Sequence, residues 1–358
     1  MKYAWMLVLL VSASSLAEPM RYSVSQAIDL PLKRPWALVA LPDNQFIVTE
    51  KHGALVVVDE NGEAERHQQA LPELYSEGQG GLLDLALTQD YYTSGRVLVS
   101  YTRGTSDSNQ LVVVSAILDN GVLKDIEQIL AVTPTKDTPV HFGGRLAVLD
   151  DGTWLVTTGD GFDYREQAQV KTSQLGKILH FREDGSAPQS PPFPDSPYVY
   201  SLGHRNTQGL VIKGNQIIAH EHGPAGGDEI NLIEEGENYG WPVATMGDDY
   251  SGARISPFRT YTGMISPVVN WTPSVAPSGM IDYSGEQFPS LDGKLLVTTL
   301  KEKALLAVDL RVSPPVKEHI FSDISQRLRD VNVTDNGGVL LLTDGEEATI
   351  LKVSANSQ

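Results

Sequence analysis

Phe46-Ile47-Val48-Thr49, a short turn, and Leu55-Val56-Val57-Val58-Asp59 read together as a β-hairpin. Leu295-Leu296-Val297-Thr298 followed by Leu305-Leu306-Ala307-Val308-Asp309 repeats the unit, and Val339-Leu340-Leu341-Leu342-Thr343 followed by Ile350-Leu351-Lys352-Val353 repeats it again. Further apolar runs follow turns at Leu82–Leu87, Trp154–Thr158 and Gln216–Ala219. The turns are marked by Pro42-Asp43-Asn44, Asp151-Gly152, Gly214-Asn215, Asp292-Gly293 and Asn336-Gly337-Gly338. About six strand-turn-strand units at irregular spacing predict an all-β fold of the propeller type, with loops inserted between blade strands. Two packed β-sandwiches are the alternative. No long apolar pattern of period 3.6 is present, so helices should be few. No linker divides the chain, and the proline-rich stretch Ala187–Pro197 reads as a surface loop.

The 358 residues carry a formal charge of −18, which argues against a nucleic-acid partner, since a phosphate backbone would be repelled. Arginines clustered in such a chain need a local reason. Lys2, the apolar run Trp5–Val11 and Ser15-Leu16-Ala17 before Glu18 read as a cleavable secretory signal, with an uncleaved anchor as the alternative. Residues 1–17 are therefore expected to be a signal peptide. Residues 18–358 are expected to form one propeller catalytic domain, periplasmic or secreted, with no membrane span. There is no cysteine, which excludes thiol catalysis and thiolate metal sites.

Several motifs bring polar groups to turns beside strands. His141 lies in His-Phe-Gly-Gly-Arg before an apolar run at Leu146–Leu149; it reads as a general base or as a structural turn histidine. Asp160, after Trp154–Thr158, reads as a carboxylate that orients an imidazole or as a plain turn residue. Arg205 and Asn206 follow His204, and arginine offers a fork of donors to a carboxylate or quinone oxygen. Arg327 and Arg329 alternate, so in an extended segment they face one side, toward a multiply charged anion or toward Asp330 or another acid. Glu221-His222-Gly223-Pro224 with Ala225-Gly226-Gly227-Asp228-Glu229 is an oxygen-rich loop, for calcium or simply acidic. Walker, dinucleotide and Gly-x-Ser-x-Gly signatures are missing, so nicotinamide chemistry has no support.

Taken in order, these motifs resemble the soluble pyrroloquinoline-quinone (PQQ)-dependent aldose sugar dehydrogenases, relatives of soluble glucose dehydrogenase. The resemblance runs from Pro35-Trp36-Ala37-Leu38 and Gly78-Gln79-Gly80-Gly81-Leu82-Leu83-Asp84 through His141–Arg145, Gly203–Gly209, Glu221–Ile233, Gly236–Pro242 and Ala276-Pro277-Ser278-Gly279 to Leu300-Lys301 and Gln326–Asp330. It implies a six-bladed propeller with long loops and the quinone on its top face. It implies His141 as the base on the anomeric hydroxyl, steadied by Asp160. Gln79, Arg205, Asn206, Lys301, Arg327 and Arg329 would hold the quinone, with Tyr250 as a further contact. Gly223 and Pro224 would give carbonyl oxygens to a calcium, and Glu229 and Tyr239 would mark a second one. The partners implied are an aldose and an external electron acceptor. Thr207 stands where the family usually has proline, and Val140, His222 and Trp271-Thr272-Pro273-Ser274 depart from the glucose-oxidising branch. A calcium-dependent propeller lactonase or esterase and a non-catalytic binding propeller are the alternative functions. The hydrolase would not need Lys301, Arg327 and Arg329 aimed at one anion, and retention of the complete base, cation and calcium-loop set argues against the binding propeller.

Overall fold

The computed structural model describes residues 20–356, so the expected signal segment 1–17 lies outside the described residues. The strands form six four-stranded antiparallel sheets. The first is Pro35–Ala40, Phe46–Glu50, Ala54–Val58 and Ala64–Gln68. The second, third and fourth begin at Leu82–Leu87, Gly143–Val148 and Thr207–Lys213, and the fifth at Pro277–Asp282. In each of these five, chain order is sheet order. The sixth takes Leu328–Val333, Val339–Thr343 and Ile350–Ala355 and completes itself with the N-terminal strand Tyr22–Gln26. That strand pairs from Tyr22 with Ala355 to Gln26 with Leu351, so the two ends of the chain close the ring. The innermost strands neighbour one another all the way round. The fold is a six-bladed β-propeller. Among the described residues helix is confined to short turns such as Tyr91–Ser94 and Arg165–Gln169.

Both faces of each blade are buried against its neighbours, which explains why the second strands read as unbroken apolar runs. Ile47 points into the cluster shared with the second blade, and its neighbour Val48 into the cluster shared with the sixth. Leu341 and Leu342 divide in the same way.

In every blade the innermost strand is irregular against the second: between Pro35 and Ala37, Leu82 and Leu85, Gly143 and Leu146, Thr207 and Gly209, Pro277 and Met280, and Leu328 and Asp330. A bulge frees a backbone N–H and re-aims side chains. Hydroxyls on the second strands take up these donors and stitch adjacent blades. Thr49 Oγ1 accepts from Ala37 N (3.0 Å) and donates to Leu83 O (2.5 Å). Ser100 accepts from Asp84 N (3.0 Å) and donates to Gly144 O (2.6 Å). Thr157 accepts from Arg145 N (3.0 Å) and donates to Thr207 O (3.1 Å). Thr157→Val, nearly isosteric, should therefore lower stability by about 1–3 kcal/mol, because it leaves a buried donor and a buried acceptor unpaired. Denaturant unfolding checks this, and an unchanged midpoint would remove the stitch from the account.

Candidate functional site: a base beside a cation-lined cavity

The bulges turn side chains into the central channel. Arg145 Nη1 lies 3.4 Å from Asp84 Oδ1 and 3.3 Å from Asp330 Oδ2. Its Nε donates to Gln208 O (3.0 Å), and the guanidinium sits 4.2 Å from the Trp36 ring. Leu146 N donates to the other oxygen of Asp84, Oδ2, and Leu38 N shares Asp330 Oδ2 with the guanidinium. Burial nevertheless raises Asp84 to about 6, with Arg145 opposing. The sequence reading allowed Arg329 to pair with Asp330 or another acid, and its acid is Asp344 rather than Asp330. The irregularity between Leu328 and Asp330 sends Asp330 inward to Arg145.

His141 sits above this plug, just before the strand Gly143–Val148, which starts earlier than the expected Leu146–Leu149. It adopts a left-handed backbone (φ 53°), and Gly143 follows at φ 67°, where a Cβ would come within 2.6 Å of Thr157 O. Gln79 Oε1 accepts from His141 N (2.8 Å), which fixes the turn. His141 Nδ1 lies 2.7 Å from Asp160 Oδ1. Asp160 is fully buried, and it also accepts from Phe162 N (2.7 Å) and from Trp241 Nε1 (2.7 Å). An ionised carboxylate only accepts, so Nδ1 carries the proton and Nε2 is left as the acceptor. Burial holds the imidazole below its ordinary range; Asp160 opposes that shift, while Arg205 and Lys136 add to it. His141 is thus an oriented, neutral imidazole near neutral pH.

A cavity of about 200 Å³ opens beside it, lined among others by Lys51, Gln79, Asn206, His222, Arg327 and Arg329. Arg327 and Arg329 do face one side, as their alternation predicts. They grip Asp344 from two directions: Arg329 Nη2 to Oδ1 (2.7 Å) and Arg327 Nη2 to Oδ2 (2.9 Å). Lys301 lies on the exposed turn after Leu300, whose carbonyl accepts from Arg327 Nη1 (3.3 Å). A second, more open cavity of about 430 Å³ is bounded by Phe162, Arg205, Pro224, Trp241 and Tyr250. Arg205 stands between the carbonyls and the aromatics. Its Nη1 donates to Gly223 O (2.9 Å) and His222 O (3.3 Å), and its Nη2 lies 3.4 Å from the Tyr250 hydroxyl. Asn206 Oδ1 accepts from Gly143 N (3.3 Å), tying the third and fourth blades together at the rim.

The Glu221–Glu229 turn is rigid and rich in oxygen. A Cβ at Gly223 would meet Gly226 O at 2.3 Å. Asp228 accepts from Gly223 N (2.9 Å) and Ala276 N (2.7 Å). Glu221 binds His204 Nδ1 (3.0 Å) and the Arg205 backbone N–H. Glu229 lies in a recess where burial first, and the Glu221 charge second, push its carboxyl well above the usual range. Tyr239 is nearby, but its hydroxyl donates to Leu232 O and accepts from Glu234 N, both at 2.7 Å. Only its main-chain carbonyl is available to an ion. Among the described residues no three acidic, histidine or cysteine side chains converge as a metal cluster, so an ion here would rely on main-chain oxygens. Those oxygens fit a cation: the Arg205 guanidinium already rests on Gly223 O and His222 O, and Glu229 lacks a compensating charge.

Sequence reading gave no role to Lys51, Asp344 or Trp241, and placed Glu221 only within the candidate calcium loop. A signal for the first two was present. Lys51, His222 and Asp344 each directly follow a second strand, after Glu50, Glu221 and Thr343. Aligning the repeats in frame would have put all three on the top face.

Similarity to known proteins extends over nearly the whole chain. The sequence profile of the family described as Glucose / Sorbosone dehydrogenase matches residues 32–352. An aldose sugar dehydrogenase of Escherichia coli K12 is 34 % identical over 345 residues, covering 90 % of this chain and 90 % of that protein. The crystal structure of the soluble aldose sugar dehydrogenase from E. coli, in its apo form, superposes with a TM-score of 0.88 at 32 % identity, covering 94 % of this chain and 100 % of that one. The PQQ-bound aldose sugar dehydrogenase of Streptomyces coelicolor superposes with a TM-score of 0.75 at 27 % identity, covering 94 % and 99 %.

Proposed function

The chain belongs to the glucose/sorbosone dehydrogenase family, and on that premise we propose that it is a PQQ-dependent oxidoreductase that oxidises an aldose at C1 to the lactone. The observation that carries this reading is the neutral, Asp160-held His141, whose partner Gln79 and successors Phe142 and Gly143 line a cation-bearing cavity.

Bound quinone would supply a two-electron acceptor for hydride, and bound calcium a Lewis acid on the accepting carbonyl. Everything else falls to the protein. His141 Nε2 takes the proton of the anomeric hydroxyl as the C1–H bond gives up its electron pair. Asp160 accepts the Nδ1 hydrogen bond and stabilises the imidazolium that forms. Gln79 keeps the base in register through the His141 amide. Asn206, Arg327 and Arg329 from the cavity wall, with Arg205 and Lys301 beside it, would hold the anionic cofactor, and Tyr250 would stand against Arg205 at the open side. Gly223 and Pro224 would hold calcium through carbonyls, which requires Arg205 Nη1 to yield Gly223 O. Glu229 and the Tyr239 carbonyl would hold a second calcium. Export to the periplasm and transfer of electrons to an external acceptor complete the proposal.

The test is titration of metal-stripped protein with PQQ, with and without calcium, followed by dye reduction on a panel of aldoses. An absorbance shift that requires calcium, with reduction of dye by at least one aldose, is the expected result. No binding under either condition would overturn the reading. Binding without turnover on any aldose would keep the cofactor and reject the substrate class.

A further inference from the structure

The described residues contain three buried lysines. Two are fully accounted for. Lys177 Nζ donates to the carbonyls of Gln167 (2.7 Å), Ala168 (3.1 Å) and Leu175 (2.8 Å). Lys136 Nζ donates to Asn109 Oδ1 (3.2 Å) and Thr138 O and lies 3.4 Å from the centre of the Phe142 ring. Lys51 is different. It is only 9 % exposed, yet its ammonium makes no hydrogen bond and no ion pair among the described residues, and it lines the 200 Å³ cavity. A largely buried lysine whose ammonium has only the cavity to face lacks the partners that the two others in the same molecule are given when nothing else is to be bound.

The charge balance of the cavity points the same way. Arg327 and Arg329 share Asp344, so the three together bring a single net positive charge. Lys51 brings a further one when protonated, and unlike the arginines it has no acid of its own. From these observations we infer that Lys51 is a ligand-contacting residue that donates to a carboxylate or quinone oxygen of the anion held in this cavity, ahead of Arg327 and Arg329. The inference rests on the proposed cofactor and adds to it a residue that the motif-by-motif resemblance did not carry.

A consequence follows for proton linkage. Burial first, and then the Arg329 and Arg34 charges, lower Lys51 to about 7, with Asp344 opposing. Arg327 and His222 also border the cavity. An anion placed against the amine raises its affinity for a proton, so binding above pH 7 draws in a proton. Affinity then falls as pH rises through the free value toward the bound one.

The experiment compares PQQ binding to wild type, Lys51→Met and Lys51→Arg by absorbance titration with calcium, with proton uptake on binding measured at pH 8. Loss of one charge-assisted contact predicts a Kd raised roughly 10–100-fold in Lys51→Met. Lys51→Arg should recover most of the affinity, and proton uptake should be lost in both variants, since a guanidinium is already charged in the free protein at pH 8. Unchanged affinity in Lys51→Met overturns the inference, as does proton uptake that persists in that variant. If Lys51→Met does not fold, acetylation of wild-type Lys51 at pH 7, read by mass spectrometry, replaces it. Protection by PQQ supports the contact, and equal labelling rejects it. Failure of the wild type to bind PQQ removes the proposed function as well, whereas binding that ignores Lys51 removes only this inference.

Discussion

His141→Ala lowers aldose turnover by about 10²–10⁴-fold while PQQ affinity stays near that of the wild type, because a general base contributes about that factor and the anion is held by other groups. The geometry makes the effect one of proton transfer. His141 Nδ1 is committed to Asp160, and only Nε2 can take a proton. Asp160→Asn serves as the companion variant, since its amide must face its NH₂ toward either Trp241 Nε1–H or the pair of donors from His141 and Phe162. When the NH₂ faces His141, the other tautomer is favoured and Nε2 becomes a donor, so turnover falls although the imidazole is still present. The pH profile supplies a second readout. Burial depresses His141 below its ordinary 6.5, so the base remains neutral and kcat/KM stays on its plateau to below that pH, falling only as the imidazole protonates. Equal turnover in His141→Ala removes the histidine from the chemistry, and an acid limb above pH 6.5 contradicts the depressed value.

The split between what the sequence discloses and what it hides has physical causes. Hairpins such as Phe46–Asp59 are legible because a second strand buried on both faces leaves an apolar run that turns interrupt. His141, Asp160, Arg205 and Arg327 are legible because they lie in motifs shared in order with a family. Closure by Tyr22–Gln26 is not legible, because that strand is largely exposed and carries no apolar run. The partner of Asp330 is not legible, because a bulge, invisible in the residue pattern, re-aims it toward Arg145. Lys51 and Asp344 are missed because a lone lysine or aspartate after a strand is common, and only the ring of blades gathers them into one cavity.

Arg145→Met carries the largest expected cost to stability, about 3–5 kcal/mol, since removing one member of a buried ionic group strands its partners. Asp84 and Asp330 approach the same guanidinium from two blades, and each also accepts from the backbone of a different strand, Leu146 N and Leu38 N. The group therefore spans the first, second, third and sixth blades, and its loss is felt by the whole ring. The cost should depend on pH in a defined direction. Asp84 in the folded wild type holds its proton to about pH 6, above its ordinary 3.8, so acidification through that range favours its folded form. Without Arg145 the carboxyl rises further, so the variant recovers stability as pH falls from 8 toward 5. Methionine keeps the side-chain bulk against Trp36, which separates charge from packing. Adding Asp84→Asn and Asp330→Asn to Arg145→Met should restore part of the loss at pH 8, because neutral amides need no counter-charge. Thermal unfolding of the single and triple variants at pH 8 and pH 5.5 measures all of this. A single variant that melts with the wild type at pH 8 would show that the channel plug is not what holds the blades in register.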